Sequence, residues 1–221
     1  MDLWTILILA IGPGLAWLLY FYAQDRFEPE PLQLVAKVFF LGMVATIPTY
    51  ILESICLWII PSSGVLYQAV AVPIIEESCK FLPVYLYVFR QAEFDEPMDG
   101  IVYATASALG FASVENVLYL TGITTLTTFM VTGVFRAIFS VPNHALFSVL
   151  WGHALGIAKF RHPRHRTLVV ASGLLLGVAF HGTCNFLLLG GFPGFALLIL
   201  VAVPVIWWIA QQRMENVLIP A

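Results

Sequence analysis

The chain has 221 residues, of which 60% are apolar and 10% charged, and its formal charge is −3. Soluble domains carry roughly 25% charged residues, so this composition excludes one, and the length leaves no room for a second soluble domain. The small net charge says little about partners; a lipid bilayer is expected and nucleic acid is not.

A bilayer crossing needs about 20 apolar residues at 1.5 Å each. That criterion predicts helices at approximately 3–22, 34–60, 65–90, 100–121, 124–158, 167–189 and 193–211. The expected fold is therefore an all-α, polytopic membrane helix bundle of about seven or eight spans, forming a single domain over 1–221. The first run, Leu3 to Tyr22, follows the acidic Met1-Asp2 and is long enough to span, which reads as a retained helix and not as a signal peptide.

The third span contains Val72-Pro-Ile-Ile-Glu-Glu-Ser-Cys-Lys80. Glu76 and Lys80 are i,i+4, the favourable order for an ion pair on one helix face. Glu77 points about 100° away, which predicts a different environment from its neighbour. Two adjacent carboxylates in different environments suit acid–base work, whereas the plainer reading is a salt bridge between packed helices.

The fourth span carries Phe111-Ala-Ser-Val-Glu-Asn116 on a helix rich in Gly, Ala and Ser, residues that allow close packing. Glu115 is a candidate for chemistry or for hydrogen bonding between helices; Asn116 suits the latter role better. In the fifth stretch, 124–158 is too long for one simple crossing and Pro142 divides it, predicting a kink or a crossing plus a shorter piece. His144 and His153 are nine residues apart, about 180° around a helix, so only one should face a site. His144 is the choice, and His153 is read as structural. The sixth span ends in His181-Gly-Thr-Cys-Asn185, whose histidine and asparagine share a face. Imidazole can relay a proton, and a carboxamide can donate to a developing oxyanion.

An ionised side chain at a helix centre costs roughly 2.5–3.5 kcal/mol on insertion scales, so this many buried ionisable groups mark a functional site. Glu53 and Arg136 are placed nearer the interfaces, with their ends reaching toward water. Cys56, Cys79 and Cys184 follow no metal or disulfide spacing and read as free, buried thiols.

Loop charges predict orientation. Lys159-Phe-Arg-His-Pro-Arg-His-Arg166 holds four Lys/Arg in eight residues and should be cytoplasmic, with His162 and His165 solvated there. Loops 24–33 and 90–100 fall on the same side, while 61–64, 121–124 and 190–193 carry no charge. The N-terminus is then outside and the C-terminus cytoplasmic, provided 124–158 makes an odd number of crossings. No internal repeat is visible, which counts against a secondary transporter.

Taken together, Glu76-Glu77-x-x-Lys80, Phe111-x-x-x-Glu115-Asn116, the His144/His153 helix and His181-x-x-x-Asn185 resemble the PrsW family of intramembrane proteases, as does Asp25-Arg-Phe-Glu-Pro-Glu-Pro31. That family is related to the CAAX prenyl endopeptidases, whose EExxxR and FxxxH motifs appear here with the basic residue one position earlier and with Glu115 for histidine. The resemblance implies a glutamic-type protease of the cell membrane that makes the first cut in a single-span, anti-sigma-factor-like substrate. It further implies Glu76 as the base that activates water, Glu77 in support, Lys80 holding the pair, and His181 with Asn185 stabilising the oxyanion. No cofactor or metal is expected. A metal-dependent hydrolase using Glu76, Glu115, His144 and His181 is the second reading, although no HExxH is present. A proton-coupled transporter or receptor without catalysis is the third.

Overall fold

The computed structural model describes residues 1–61 and 64–218. The uncharged connection expected at 61–64, and the end of the expected 1–221 domain, therefore lie partly outside the described residues. Every element among the described residues is helical: α1 (Leu3–Tyr22), α2 (Leu32–Leu57), α3 (Val72–Pro83), α4 (Asp99–Leu120), α5 (Leu126–Phe135), α6 (Val141–Phe160), α7 (Arg166–Leu189), α8 (Gly191–Leu197) and α9 (Val203–Leu218). Asp2 caps α1, its carboxylate accepting from the Thr5 amide at 2.9 Å.

Six helical stretches are long and apolar enough to cross a bilayer: Leu3–Tyr22, Leu32–Leu57, Asp99–Leu120, Leu126–Phe160, Pro163–Leu189 and Gly191–Leu218. These match six of the seven expected spans, and the last runs several residues beyond its expected end at 211. The strip expected at 65–90 is also helical, but it is inverted in polarity. Glu76, Glu77 and Lys80 of α3 point into the protein, while Ile74, Leu82 and Leu86 are exposed. A helix of this pattern can sit in lipid only when its polar face is covered by neighbours.

Three interruptions share one cause. The turns Tyr67–Ala71, Arg136–Ser140 and Leu198–Ala202 are π-helical, and each ends immediately before a Val-Pro pair: Val72-Pro73, Val141-Pro142 and Val203-Pro204. In each, the valine amide bonds back five residues, to Tyr67, Arg136 or Leu198. Proline has no amide hydrogen and its ring collides with the carbonyl four residues earlier, so widening the preceding turn relieves the clash without ending the helix. Hence 124–158, expected to divide at Pro142, is one continuous 35-residue helical stretch from Leu126 to Phe160.

α4 and α6 form the buried centre, and α1, α2, α3, α7 and α9 pack around them. Their crossing depends on absent side chains: a Cβ on Gly100 would strike the Gly152 carbonyl, and one on Gly152 would strike that of Gly100. The loops that follow α1 and precede α4 meet the end of α6 at one end of the bundle. There Lys159 donates to the carbonyls of Phe89 (3.0 Å) and Phe94 (2.5 Å), and Arg166 lies over the Phe89 ring. The three loops expected to share one membrane face thus share one end of the protein. His162 and His165 are exposed in the basic loop, as expected, and all three cysteines are free, with Cys56 only half-buried.

Candidate active site

Lys80 organises the site. Its side chain is fully buried, and its Nζ lies 2.9 Å from Glu76 Oε2, 2.9 Å from Glu77 Oε1 and 2.9 Å from His144 Nδ1. An ammonium has three donors, and all three are used. The angular offset of Glu77 does not keep it from this lysine, and Lys80 holds both carboxylates at equal distance. The i,i+3 step brings the second carboxylate to the same flexible side chain that the i,i+4 step brings to the first. The Phe111 ring covers the ammonium, 4.5 Å from Nζ to the centroid.

The two carboxylates nevertheless differ, in what else they touch. Glu77 has no exposed surface. Beyond Lys80 it accepts from Ser148 Oγ (3.3 Å) and Trp151 Nε1 (3.1 Å), and it pairs with His181 Nδ1 at 3.0 Å. Glu76 has no such set of partners beyond Lys80 and lines cavities on two sides. The larger, of about 250 Å³, is walled by Glu76, Glu115, Arg136, His144, His181 and Asn185. The smaller, of about 60 Å³, places Glu53 in one wall with Glu76 and Glu115, so Glu53 belongs to the rim of the site.

His144 connects the two acidic helices. Because Lys80 can only donate, Nδ1 of His144 accepts, and Nε2 carries the hydrogen that faces Glu115 Oε2 at 3.1 Å. Glu115 also pairs with Arg136 Nη2. Arg136 Nε donates to Asn116 Oδ1 at 2.5 Å, and its guanidinium lies over the Tyr119 ring, 3.8 Å from the centroid. Arg136 is buried and paired with Glu115, so its end does not reach toward water as expected. The π-helical turn that begins at this residue holds it at the site's depth.

The remaining candidates divide. Asn185 forms part of the main cavity wall and donates to the Gln68 carbonyl at 3.0 Å. His181 stacks on Phe147, with ring centroids 4.9 Å apart. Asn116 faces away from the cavity, donating to the Ala10 carbonyl at 3.3 Å and accepting from Arg136, a tie between helices. His153 is buried elsewhere in α6, away from the carboxylates. Sequence reasoning overlooked Ser148 and Trp151, which follow His144 by four and seven residues and so share its helix face.

Around the cavity, three carboxylates (Glu76, Glu77, Glu115) meet two permanent cations (Lys80, Arg136), leaving one negative charge for an imidazolium or another cation to balance. Glu76, Glu115 and His144 each offer a ligand atom, all within 4.8 Å of one another. Two carboxylate oxygens and one imidazole nitrogen are a donor set that divalent metals accept, so these residues fit a metal ion. A cavity within a bundle of membrane-length helices, bearing carboxylates, imidazoles and a carboxamide, supplies what a membrane-embedded hydrolase needs.

The family follows from comparison. Residues 30–209 match the family model described as "PrsW family intramembrane metalloprotease". The chain is 34% identical to "Protease PrsW" of Geobacillus kaustophilus over 97% of its length and 92% of that protein's. It is 33% identical to the protein of that name in Oceanobacillus iheyensis (96% and 95% covered) and 31% identical to that of Bacillus subtilis (97% and 96% covered). The chain belongs to the PrsW family and is a membrane protease. No solved structure matches it significantly.

Proposed function

We propose that Glu76 activates the water that attacks a peptide bond of a membrane-anchored protein. The observation that carries this reading is the division between the two neighbouring carboxylates. Glu77 is saturated by Lys80, His181, Ser148 and Trp151, whereas Glu76 faces the cavity. A general base must reach both water and substrate, and only Glu76 of the pair has that access.

The other residues follow from their bonds. Lys80 holds Glu76 aimed through their 2.9 Å ion pair. Glu77 fixes the His181 ring through Nδ1, leaving Nε2 to face the cavity. As an imidazolium, His181 donates from Nε2 to the tetrahedral oxyanion, helped by the Asn185 carboxamide. It then passes that proton to the leaving amine. His144 and Arg136 steady Glu115 across the cavity.

A second reading is favoured by the ligand trio and by the family's printed description. Glu76, Glu115 and His144 would hold a divalent metal, which when bound would lower the pKa of a coordinated water and polarise the scissile carbonyl. The first reading is preferred because Glu76 and Glu115 already have partners within the protein, Lys80 for the one and Arg136 and His144 for the other.

The proposal extends to topology. We take the strip 65–90 as a seventh crossing in the cell membrane, with the basic loop 159–166 cytoplasmic, the N-terminus outside and the C-terminus inside. Glu115 lies 16 residues along α4 from Asp99, about 24 Å from the loop end. The cavity then sits nearer the outer leaflet, where it suits a cut close to the outer face of a single-span, anti-sigma-factor-like protein. Cleavage of single-span membrane peptides by purified protein, with and without EDTA, tests the chemistry. Activity that survives EDTA and is lost in Glu76→Gln and folded His181→Ala supports glutamate-activated water. Loss in EDTA with recovery on added zinc makes the same residues ligands.

A further inference from the structure

A second acidic cluster lies at the loop end of the bundle, about 24 Å along α4 from the cavity. Asp25 of the loop after α1 and Glu96 of the loop before α4 meet Asp99 at the start of α4, with one carboxylate oxygen from each within 4.8 Å of the others. Asp25 is 97% buried, being only 3% exposed, yet neither of its oxygens has a hydrogen-bond partner of ordinary geometry. Asp99 is fully buried. Its Oδ2 accepts from the amides of Asp95 and Glu96, both at 2.7 Å, while Oδ1 has no partner. Glu96 Oε1 is likewise buried without one. Glu30, also buried, accepts from Tyr103 beside them.

Among the described residues no Lys or Arg is ion-paired to any of the four carboxylates. Lys159 is close by but is committed to the Phe89 and Phe94 carbonyls. Unpaired buried carboxylates are costly, and those that persist coordinate a cation or hold protons. Burial and the neighbouring Asp25 raise the Glu96 carboxyl to about 7, and burial raises that of Asp25, as befits a cluster whose charge is uncompensated. A cavity of about 290 Å³, lined by Glu28, Glu30, Glu93 and Asp95, opens beside the cluster and supplies a negatively charged approach.

We propose that Asp25, Glu96 and Asp99 bind a hard divalent cation, calcium-like in size, that ties the loop after α1 to the start of α4. An all-carboxylate donor set selects hard cations over zinc or copper. Three carboxylates converging from loop and helix start suit calcium, which takes several oxygen ligands in flexible geometry, better than magnesium, which keeps much of its water and binds through one or two carboxylates. Both linked segments precede helices that frame the cavity, α2 and α4, so the ion fixes the bundle at the end remote from the chemistry.

The test uses full-length protein in detergent, freed of metals and then titrated with CaCl₂, MgCl₂ or ZnCl₂, reading the thermal midpoint and terbium luminescence. Calcium near 100 times its Kd should raise the midpoint by about 5 °C, with magnesium weaker. Terbium should bind with one-to-one stoichiometry and be displaced by calcium. Asp25→Asn and Glu96→Gln should each abolish both responses while keeping a metal-free midpoint at or above that of wild type, because they remove repulsion. Glu115→Gln, which disables the other ligand trio, should leave both responses intact. No calcium response in the wild type would mean that the carboxylates share protons instead, and the proposal falls. A response lost in Glu115→Gln but kept in Asp25→Asn would put the ion at the cavity and equally overturn it.

Discussion

The protein buries two groups of carboxylates and treats them in opposite ways. At the cavity, Glu76, Glu77 and Glu115 are each ion-paired with Lys80 or Arg136, and every donor of the Lys80 ammonium is used. At the loop end, Asp25, Glu96 and Asp99 converge with no ion-paired Lys or Arg among the described residues, and four of their oxygens lack partners. Both groups are buried or half-buried carboxylates, so acidity alone does not identify catalysis. What separates them is whether the chain supplies its own counter-charge. Where it does, the carboxylates are held in fixed geometry beside a cavity; where it does not, they have the character of a receptor for a cation from outside.

Removing the internal cation should make the first group resemble the second. Lys80→Met strands Glu76 and Glu77 without their shared partner, and breaking a buried ion pair costs about 3–5 kcal/mol. The variant should be inactive and strongly destabilised on thermal unfolding in micelles. Adding Glu77→Gln should recover part of the stability and none of the activity. A Lys80→Met protein that melts like wild type would erase the contrast between the clusters.

Arg136 offers a gentler version of the same experiment, because it and Glu115 are less enclosed. Arg136→Ala should destabilise by about 2 kcal/mol, and a double-mutant cycle with Glu115→Gln should show most of that loss to be shared. Additive losses would mean that the arginine acts through its Tyr119 and Asn116 contacts instead. The smallest effect belongs to the histidine on the far side of α6. His153→Gln should alter cleavage by no more than about threefold, whereas His144→Ala, which breaks the link from Lys80 to Glu115, should lower it by about 10²-fold or more. Equal effects at the two histidines would remove the reason for placing only one of them in the site.

Much of this was legible in the chain before any coordinates. Long apolar runs reported the helices, because a bilayer demands continuous hydrogen-bonded backbone of fixed length. The opposed faces of His144 and His153 followed from helical periodicity alone. Other features were hidden for physical reasons. The angular offset of Glu77 suggested a less equal share of Lys80, but a four-carbon side chain reaches partners at both i−3 and i−4. Arg136 looked like a residue reaching for water because the apolar run around it gives no sign that Glu115 waits opposite. The three Val-Pro pairs were visible, yet only the structure shows that each widens the preceding turn instead of ending a helix. The loop-end cluster is assembled from segments more than 70 residues apart, a meeting that no local pattern announces.

The division of labour between the adjacent glutamates is the centre of the account, and one paired measurement tests it. Glu76→Gln and Glu77→Gln should be compared for cleavage of the same single-span peptide and for thermal midpoint in the same detergent. The account predicts that Glu76→Gln loses about 10³-fold in kcat/KM with little change in midpoint, as removal of a cavity-facing base should. Glu77→Gln should lower the midpoint clearly, since its carboxylate holds Lys80, His181, Ser148 and Trp151 together. An active Glu76→Gln protein beside a stable but inert Glu77→Gln protein would contradict the account and hand the base's role to the enclosed carboxylate.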